Sequence, residues 1–239
     1  MEAELEQRKH LFTNKQLWAL LVPVVIEQIL NSLMGTADTM MVSNVGSAAI
    51  SAVSLVDSIN VLVIQVFAAL AAGGTIICSQ YMGQKNVKNA TDAAKQLIFI
   101  ITTIAVTLTV ICVVFQIPLL HLIFGKVEAE VMSNSEVYFL YTALSFPFIA
   151  LFNAGSSVFR AQENTRLPMT ISVISNIMNI VGNAILIFGF QMGVAGAALS
   201  TLVSRIFCAV VVMYFLRNPK ERSVSEIIQR SGRTVIRSR

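Results

Sequence analysis

The chain has 239 residues, of which 55% are apolar and 13% charged, whereas soluble domains average roughly 45–50% apolar and about 25% charged residues. This composition excludes a secreted disulfide scaffold, a disordered tail and a nucleic-acid-binding module. It predicts instead an all-α polytopic membrane protein embedded in a lipid bilayer. The net charge of +4 does not indicate an acidic partner, because the basic residues lie between the apolar runs and near the C-terminus.

Runs without Asp, Glu, Lys or Arg define the membrane spans that the sequence predicts. A helix needs about 20 residues to cross roughly 30 Å of hydrocarbon. Residues 167–204 form a charge-free run of 38 residues, which as one helix would measure about 57 Å, so the chain has to fold back near Gly189–Gly193. With the first apolar stretch included, six spans are expected, at about 17–42, 53–82, 97–120, 137–159, 167–190 and 193–216.

The distribution of positive charge predicts the orientation of these spans. Fifteen of the 17 Lys and Arg residues lie in segments that six spans would place on one side of the membrane; Lys126 lies on the other side and Arg205 within the sixth span. Positive residues favour the cytoplasmic side, so both termini are expected in the cytoplasm at the cell membrane. The predicted organisation is a cytoplasmic N-terminus (1–16), a six-helix membrane lobe (17–216) and a basic tail (217–239). The tail is either an amphipathic segment on anionic headgroups or a linker.

Ionisable residues occur within the first two spans, where insertion costs a few kcal/mol and a functional role is the default hypothesis. Glu27 and Asp38 are 11 positions apart and therefore about 20° apart on the helical wheel, with Asn31 on the same stripe. They either line a polar cavity or lie near the interface and reach water. Asp57 and Asn60 add polar groups to the second span, although Asp57 would alternatively cap the outer end of that helix.

The fifth span carries a continuous polar stripe. Its members are spaced at i, i+4, i+7 and i+11 and are Ser172, Asn176, Asn179 and Asn183. Such a stripe predicts either hydrogen bonds between helices or a site for a cation or solute. The small residues of 196–198 in the sixth span predict a close approach to the fifth.

Two prolines are expected inside spans. Pro23 in the first span and Pro147 in the fourth each remove a backbone hydrogen bond and bend the helix. They are candidate hinges for a moving cavity, or else static kinks that packing tolerates.

Enzyme chemistry has no support in the sequence. Neither His10 nor His121 belongs to a metal-binding cluster, and the Gly155-Ser156-Ser157 stretch has no histidine placed to activate a nucleophile. We therefore expect no enzymatic activity, no cofactor and no catalytic metal.

Several short motifs follow one another along the chain. They are Gly35–Val42 (GTADTMMV), Gln80–Gly83 (QYMG), Phe159–Arg166 (FRAQENTR), Asn176–Asn179 (NIMN) and Gly193–Ala198 (GVAGAA). In this order and spacing they resemble the multidrug and toxic compound extrusion (MATE) family of antiporters, over about residues 12–216. The resemblance implies one six-helix lobe of a twelve-helix transporter that exports amphipathic cations in exchange for Na⁺ or H⁺.

The resemblance also implies a cation site formed by Asp38, Asn179 and Thr201, with Asn183 where some members carry an aspartate. With one carboxylate fewer, the oxygen ligands remain but the charge is lower, so the coupling ion stays open between Na⁺ and H⁺. The absence of a second lobe implies either a fragment of a longer protein or a parallel homodimer. The alternatives are a lipid-precursor flippase of the same superfamily and a membrane protein that does not transport, either inert or a partner subunit.

Single cysteines test the predicted orientation. In a variant lacking Cys78, Cys112 and Cys208, we expect Lys126→Cys to react with an impermeant maleimide added outside intact cells, and Lys88→Cys to react only after the membrane is opened. Labelling of the Lys88→Cys protein alone from outside would reverse the orientation.

Overall fold

The computed structural model describes residues 14–217, without the side chains of residues 14–16 and Asn31. The predicted N-terminal segment (1–16) and basic tail (217–239) therefore lie largely outside the described residues, since residues 1–13 and 218–239 are not described. The side chain of Asn31, a predicted cavity residue, is outside them too.

Residues 14–217 form eight α-helices and one short π-helix, without a β-strand in that range. The helices in chain order are α1 (Asn14–Val42), α2 (Ser47–Gly83), α3 (Val87–Val114), α4 (Gln116–Phe124), α5 (Ala129–Leu144), α6 (Phe146–Ala161), α7 (Arg166–Asn183), the π-helix (Ala184–Gly189) and α8 (Gly193–Arg217). Five stretches within this part of the chain are long and apolar enough to cross a membrane, and the bent pair α5 and α6 supplies a sixth, broken span. The all-α multi-pass architecture predicted from the sequence is confirmed.

The fourth span differs from the prediction of one continuous helix with Pro147 in its interior. The chain bends by 40° between α5 and α6, with Ser145 between them. Pro147 lies in the first turn of α6, where its missing N–H costs no helical hydrogen bond. Pro147 therefore starts a helix here, while Pro23 lies inside the continuous helix α1 as predicted.

The second and third spans have different limits from those predicted. Helix α2 begins at Ser47, six residues before the predicted start, and α3 ends at Val114, after which the short helix α4 follows. At its other end α3 begins at Val87, because the side chain of Asn86 accepts a hydrogen bond from the Asn89 N–H and caps the helix. The first turns of α3 contain charged residues, so the charge-free run on which the prediction was based begins later than the helix itself.

The buried apolar side chains form two clusters, a larger one shared by most of the helices and a smaller one between α6, α7 and α8. Helix α2 packs against α3, α5 and α6, whereas α1 packs chiefly against α7, and α8 contacts α5, α6 and α7. The predicted close approach of the last two spans is confirmed: a Cβ atom on Gly196 would lie 3.1 Å from the backbone of Leu186. This approach brings the polar stripe of α7 against α8.

A matched pair of glycine variants tests that packing. Gly196→Ala places a methyl group against backbone that cannot rotate away, so we expect a loss of about 1–3 kcal/mol of stability. Gly73→Ala, in α2 with no atom within 4 Å of the added Cβ, should be neutral or stabilising by up to about 1 kcal/mol. Thermal unfolding in detergent, followed with a thiol-reactive dye, measures both, because the three cysteines are buried. Equal melting temperatures would contradict the tight contact.

Candidate functional site

Helices α1, α7 and α8 meet at the carboxylate of Asp38, which is 2% exposed. Its Oδ1 accepts a hydrogen bond from Asn183 Nδ2 at 2.5 Å, and its Oδ2 accepts one from Thr201 Oγ1 at 3.0 Å. The Asn179 Nδ2 group donates to Thr201 Oγ1 at 3.1 Å. The four residues predicted to form the cation site therefore make one hydrogen-bonded network that joins the three helices.

The network reaches beyond these four contacts. Ser200 Oγ donates to the backbone oxygen of Asn179 at 2.8 Å, which ties α8 to α7 beside Asp38. The Oδ1 atom of Asn183 is buried and has no hydrogen-bond partner among the described residues. Rotation of the Asn183 side-chain amide by about 180° would direct this unpaired oxygen toward Asp38. Carboxylate, hydroxyl and amide oxygens are the ligand types that hard cations prefer.

A cavity of about 590 Å³ opens beside Asp38 and is lined by side chains of α1, α2, α5, α6, α7 and α8. This volume lies within the range of about 300–1,000 Å³ found for sites of drug-sized ligands. Six residues predicted from the sequence line it: Glu27, Asp38, Asp57, Asn60, Asn176 and Thr201. Asn179 and Asn183 are fully buried behind Asp38 and do not reach the cavity wall.

Asp57 lies in the cavity wall, so the alternative that it caps a helix end is wrong. The reason is the early start of α2, which leaves Asp57 almost three turns inside the helix. Its Oδ1 accepts hydrogen bonds from Asn60 Nδ2 and from the Tyr138 hydroxyl, both at 3.2 Å. A Cβ atom on Gly35 would lie 3.8 Å from its Oδ2, which places Asp57 beside α1 about one turn from Asp38.

Glu27 is buried and forms an ion pair with Arg160, with 2.7 Å between Oε1 and Nη2. Arg160 is one of the fifteen basic residues that the charge distribution places on the cytoplasmic side. The structure places it in the last turn of α6, with its side chain reaching α1. Glu27 therefore does not turn to the lipid interface, because it has a charged partner within the bundle.

Arg205 was predicted only as a charge within the sixth span, and the structure gives it a definite place. It is 8% exposed, lines the cavity, and donates from Nη1 to Ser145 Oγ at 2.6 Å. Ser145 separates α5 from α6, so Arg205 holds the break in the fourth span. Two other residues were also missed: Tyr138, which lines the cavity, and Ser145, which accepts the hydrogen bond from Arg205. The sequence signal that could have found the cluster is that Arg205 is the only Lys or Arg residue within the six predicted spans.

Removing one partner of the Glu27–Arg160 pair tests its contribution to stability. Glu27→Gln leaves the guanidinium without its counter-ion, so we expect a loss of up to about 3 kcal/mol, below the fully buried limit because the Arg160 side chain is 24% exposed. The double variant with Arg160→Gln should recover part of this loss. Asp92→Asn, which breaks the exposed pair with Lys95, should cost under about 1 kcal/mol. Equal melting temperatures for Glu27→Gln and Asp92→Asn in detergent would exclude a structural role of the buried pair.

Comparisons with known proteins show what this chain is similar to. The model of the family described as MatE matches residues 23–185. An uncharacterized transporter, YisQ of Bacillus subtilis (strain 168), is 33% identical over 204 residues, which are 82% of this chain and 44% of YisQ. A probable multidrug resistance protein, NorM of Thermotoga maritima, is 29% identical over 214 residues, which are 87% of this chain and 45% of NorM.

The fold matches solved structures over the same part of the chain. An outward-facing multidrug resistance MATE family transporter of the MOP superfamily superposes with a TM-score of 0.79 at 22% identity, covering 87% of this chain and 46% of that chain. The chain thus spans a little under half the length of the relatives that it matches.

Proposed function

The chain belongs to the MatE family, and from this premise we propose that it acts as one half of a cation-coupled exporter of amphipathic, cationic small molecules. Multi-pass membrane helices support this proposal, as do relatives that are named multidrug resistance proteins. The observation that carries it is the buried Asp38 carboxylate, held by α7 and α8 at the edge of a drug-sized cavity.

Asp38 is the proposed site of the coupling ion. A carboxylate shielded from water is stabilised either by a proton or by a nearby cation, so H⁺ and Na⁺ compete for the same group. Thr201, Asn179 and the unpaired Asn183 oxygen supply the neutral ligands that Na⁺ would require.

The charge of the cavity supports a cationic substrate. Three carboxylates, of Glu27, Asp38 and Asp57, line it together with two guanidinium groups, of Arg160 and Arg205. If all five groups are ionised, the wall has a net charge of −1. A cationic ligand is therefore favoured over an anionic one of the same size.

Coupling requires that the ion bind two conformations with different affinity. We propose that cation binding at Asp38 rearranges α1, with Pro23 as its pivot, because an interior proline already weakens the helix there. The other half of the transport path is proposed to come from a second lobe or from a second, parallel copy, with both termini in the cytoplasm.

Asp38→Asn tests this function because it keeps the shape of the side chain but fixes it neutral. In proteoliposomes that contain the purified chain, a Na⁺ or proton gradient should drive counter-transport of ethidium, and Asp38→Asn should reduce that flux at least about tenfold. In detergent, Na⁺ in place of choline should raise the melting temperature of the unmodified chain and not that of the variant.

Asp92→Asn is the matched control, since it makes the same chemical change at an exposed carboxylate of α3. It should leave both the flux and the Na⁺ effect unchanged. Full ethidium flux by the Asp38→Asn protein would refute the assignment of Asp38 as the site of the coupling ion and would make Glu27 the next candidate. An absence of gradient-driven flux in the unmodified chain would exclude a self-sufficient parallel homodimer, and an absence of the Na⁺ effect as well would favour a membrane protein that does not transport.

A further inference from the structure

A second polar cluster lies in the cavity wall, about three turns of α1 away from Asp38. It has one side chain from α1, two from α6 and one from α7, namely Glu27, Asn153, Arg160 and Ser172. Glu27 is 1% exposed, and its Oε1 atom accepts the hydrogen bond from Arg160 Nη2. The 11 positions between Glu27 and Asp38 correspond to about 16 Å along α1, so this cluster is separate from the network around Asp38.

Each residue of the second polar cluster has a buried polar atom without a hydrogen-bond partner among the described residues. These atoms are Glu27 Oε2, Asn153 Nδ2, Arg160 Nε and Ser172 Oγ. Native proteins leave few such atoms unsatisfied, so four of them in one part of a cavity indicate a place for water. The cavity of about 590 Å³ has room for several water molecules, each of which fills about 30 Å³ in the liquid. Water at this place gives the Glu27 carboxylate access to protons.

The polar stripe of α7 connects this cluster with Asp38. Ser172 and Asn183 are 11 positions apart in α7, as are Glu27 and Asp38 in α1. As the first and fifth spans of six, the two helices cross the bilayer in the same direction, and Asn183 bonds to Asp38. The equal spacing therefore places Ser172 at the level of Glu27. The two carboxylates lie at opposite ends of one polar face.

We infer that Glu27 is a second proton-binding site, which takes up H⁺ from the cavity at Oε2 and does not bind metal cations. A proton reaches Oε2 without displacing a described hydrogen bond, because Arg160 engages Oε1. The O–H bond that forms converts the carboxylate into a neutral carboxylic acid, while the guanidinium keeps its own proton and charge. Return of the proton to water in the cavity restores the ion pair.

The guanidinium of Arg160 is the reason why this site takes a proton and not Na⁺. A metal cation at Oε2 would place a second positive charge beside the one that Glu27 already neutralises, and the two cations repel each other. A proton adds no separate ion to the site. The cavity therefore has one carboxylate, Asp38, open to either cation and a second, Glu27, open to protons alone. This inference goes beyond the proposed function and does not depend on it, since proton binding at Glu27 requires neither a substrate nor an ion at Asp38.

The charged surroundings of Glu27 are simple enough to interpret its titration. Among the described residues, Arg160 of α6 and the Cys208 thiol of α8 are the titratable groups that interact with it. A guanidinium stays charged and a thiol stays neutral in acid. Helix α7 lines the cavity with serine and asparagine side chains, and the carboxylate of α2, Asp57, lies at the Asp38 end.

Infrared difference spectroscopy of the purified chain in detergent tests the inference, because a protonated carboxyl group has a carbonyl band that a carboxylate lacks. We expect acidification from about pH 8 to about pH 4 to produce a band in the unmodified chain that is missing from the Glu27→Gln protein. In the Arg160→Gln protein the same band should appear at a pH about 1–3 units higher, since the guanidinium no longer favours the ionised form. Na⁺ in place of choline should leave this band unchanged.

Three further variants control for indirect effects. Asp92→Asn removes an exposed carboxylate and should retain the band assigned to Glu27. Arg166→Gln makes the same charge change as Arg160→Gln at an exposed position and should not shift the pH at which the band appears. The double variant Glu27→Gln with Arg160→Gln leaves neither partner of the pair ionised, so it shows whether the band is missing even if Glu27→Gln alone does not fold.

The outcomes separate this inference from the proposed function. A carbonyl band that persists in the folded Glu27→Gln or double-variant protein would overturn proton binding at Glu27. Loss of the band in Na⁺ would overturn the exclusion of metal cations, and an unshifted band in Arg160→Gln would overturn the role of the guanidinium. Each of these results leaves the assignment of Asp38 intact, because Asp38→Asn removes a different carboxyl group.

Discussion

A carboxylate inside an apolar helix bundle is stable only where neighbouring helices provide hydrogen-bond donors, and Asp38 imposes this condition on α1. Its two oxygens are satisfied from different helices, by Asn183 of α7 and by Thr201 of α8. Helix α1 makes its main contacts with α7, and the small residues of α8 allow it to approach α7 closely enough for Thr201 to reach Asp38. The position of three helices thus follows from one buried charge.

The other charged residues of the cavity each join a different pair of elements. Glu27 and Arg160 join α1 to α6, Asp57 bonds to Tyr138 of α5, and Arg205 of α8 bonds to Ser145 at the break of the fourth span. Because each contact lies within a membrane-sized bundle, water competes for it less than at a protein surface, and each restricts the relative movement of its elements. Hydrogen bonds and an ion pair between helices therefore border the cavity on several sides, and apolar side chains form the wall between them.

Hydropathy and periodicity predicted much of this architecture, because both depend on local sequence. The charge-free runs gave the six spans, and the spacing of Asn176, Asn179 and Asn183 predicted one polar face on the fifth. The missed features depend on partners that are distant in sequence. Arg160 pairs with Glu27 across 133 positions, and its place at the end of an apolar run made it equally consistent with a loop.

Pro147 illustrates a second reason for error. A proline within an apolar run is compatible both with a kinked helix and with the first turn of a new helix, and local propensity does not separate these cases. The structure has the second arrangement, with Ser145 at the junction. What stabilises it is the Arg205 guanidinium from α8, a tertiary contact across 60 positions that no window around Pro147 contains.

Helix α8 contributes both to the hydrogen-bonded network of Asp38 and to this junction. Thr201 and Arg205 are four positions apart and therefore lie on the same face, one turn from each other. Thr201 bonds to Asp38, and Arg205 bonds to Ser145 between α5 and α6. An axial shift or rotation of α8 large enough to break the Thr201 contact would displace Arg205 by a similar distance, because one helical turn between them cannot absorb it. The hydrogen bond at Asp38 and the geometry of the broken span are for this reason mechanically linked through two side chains of a single helix.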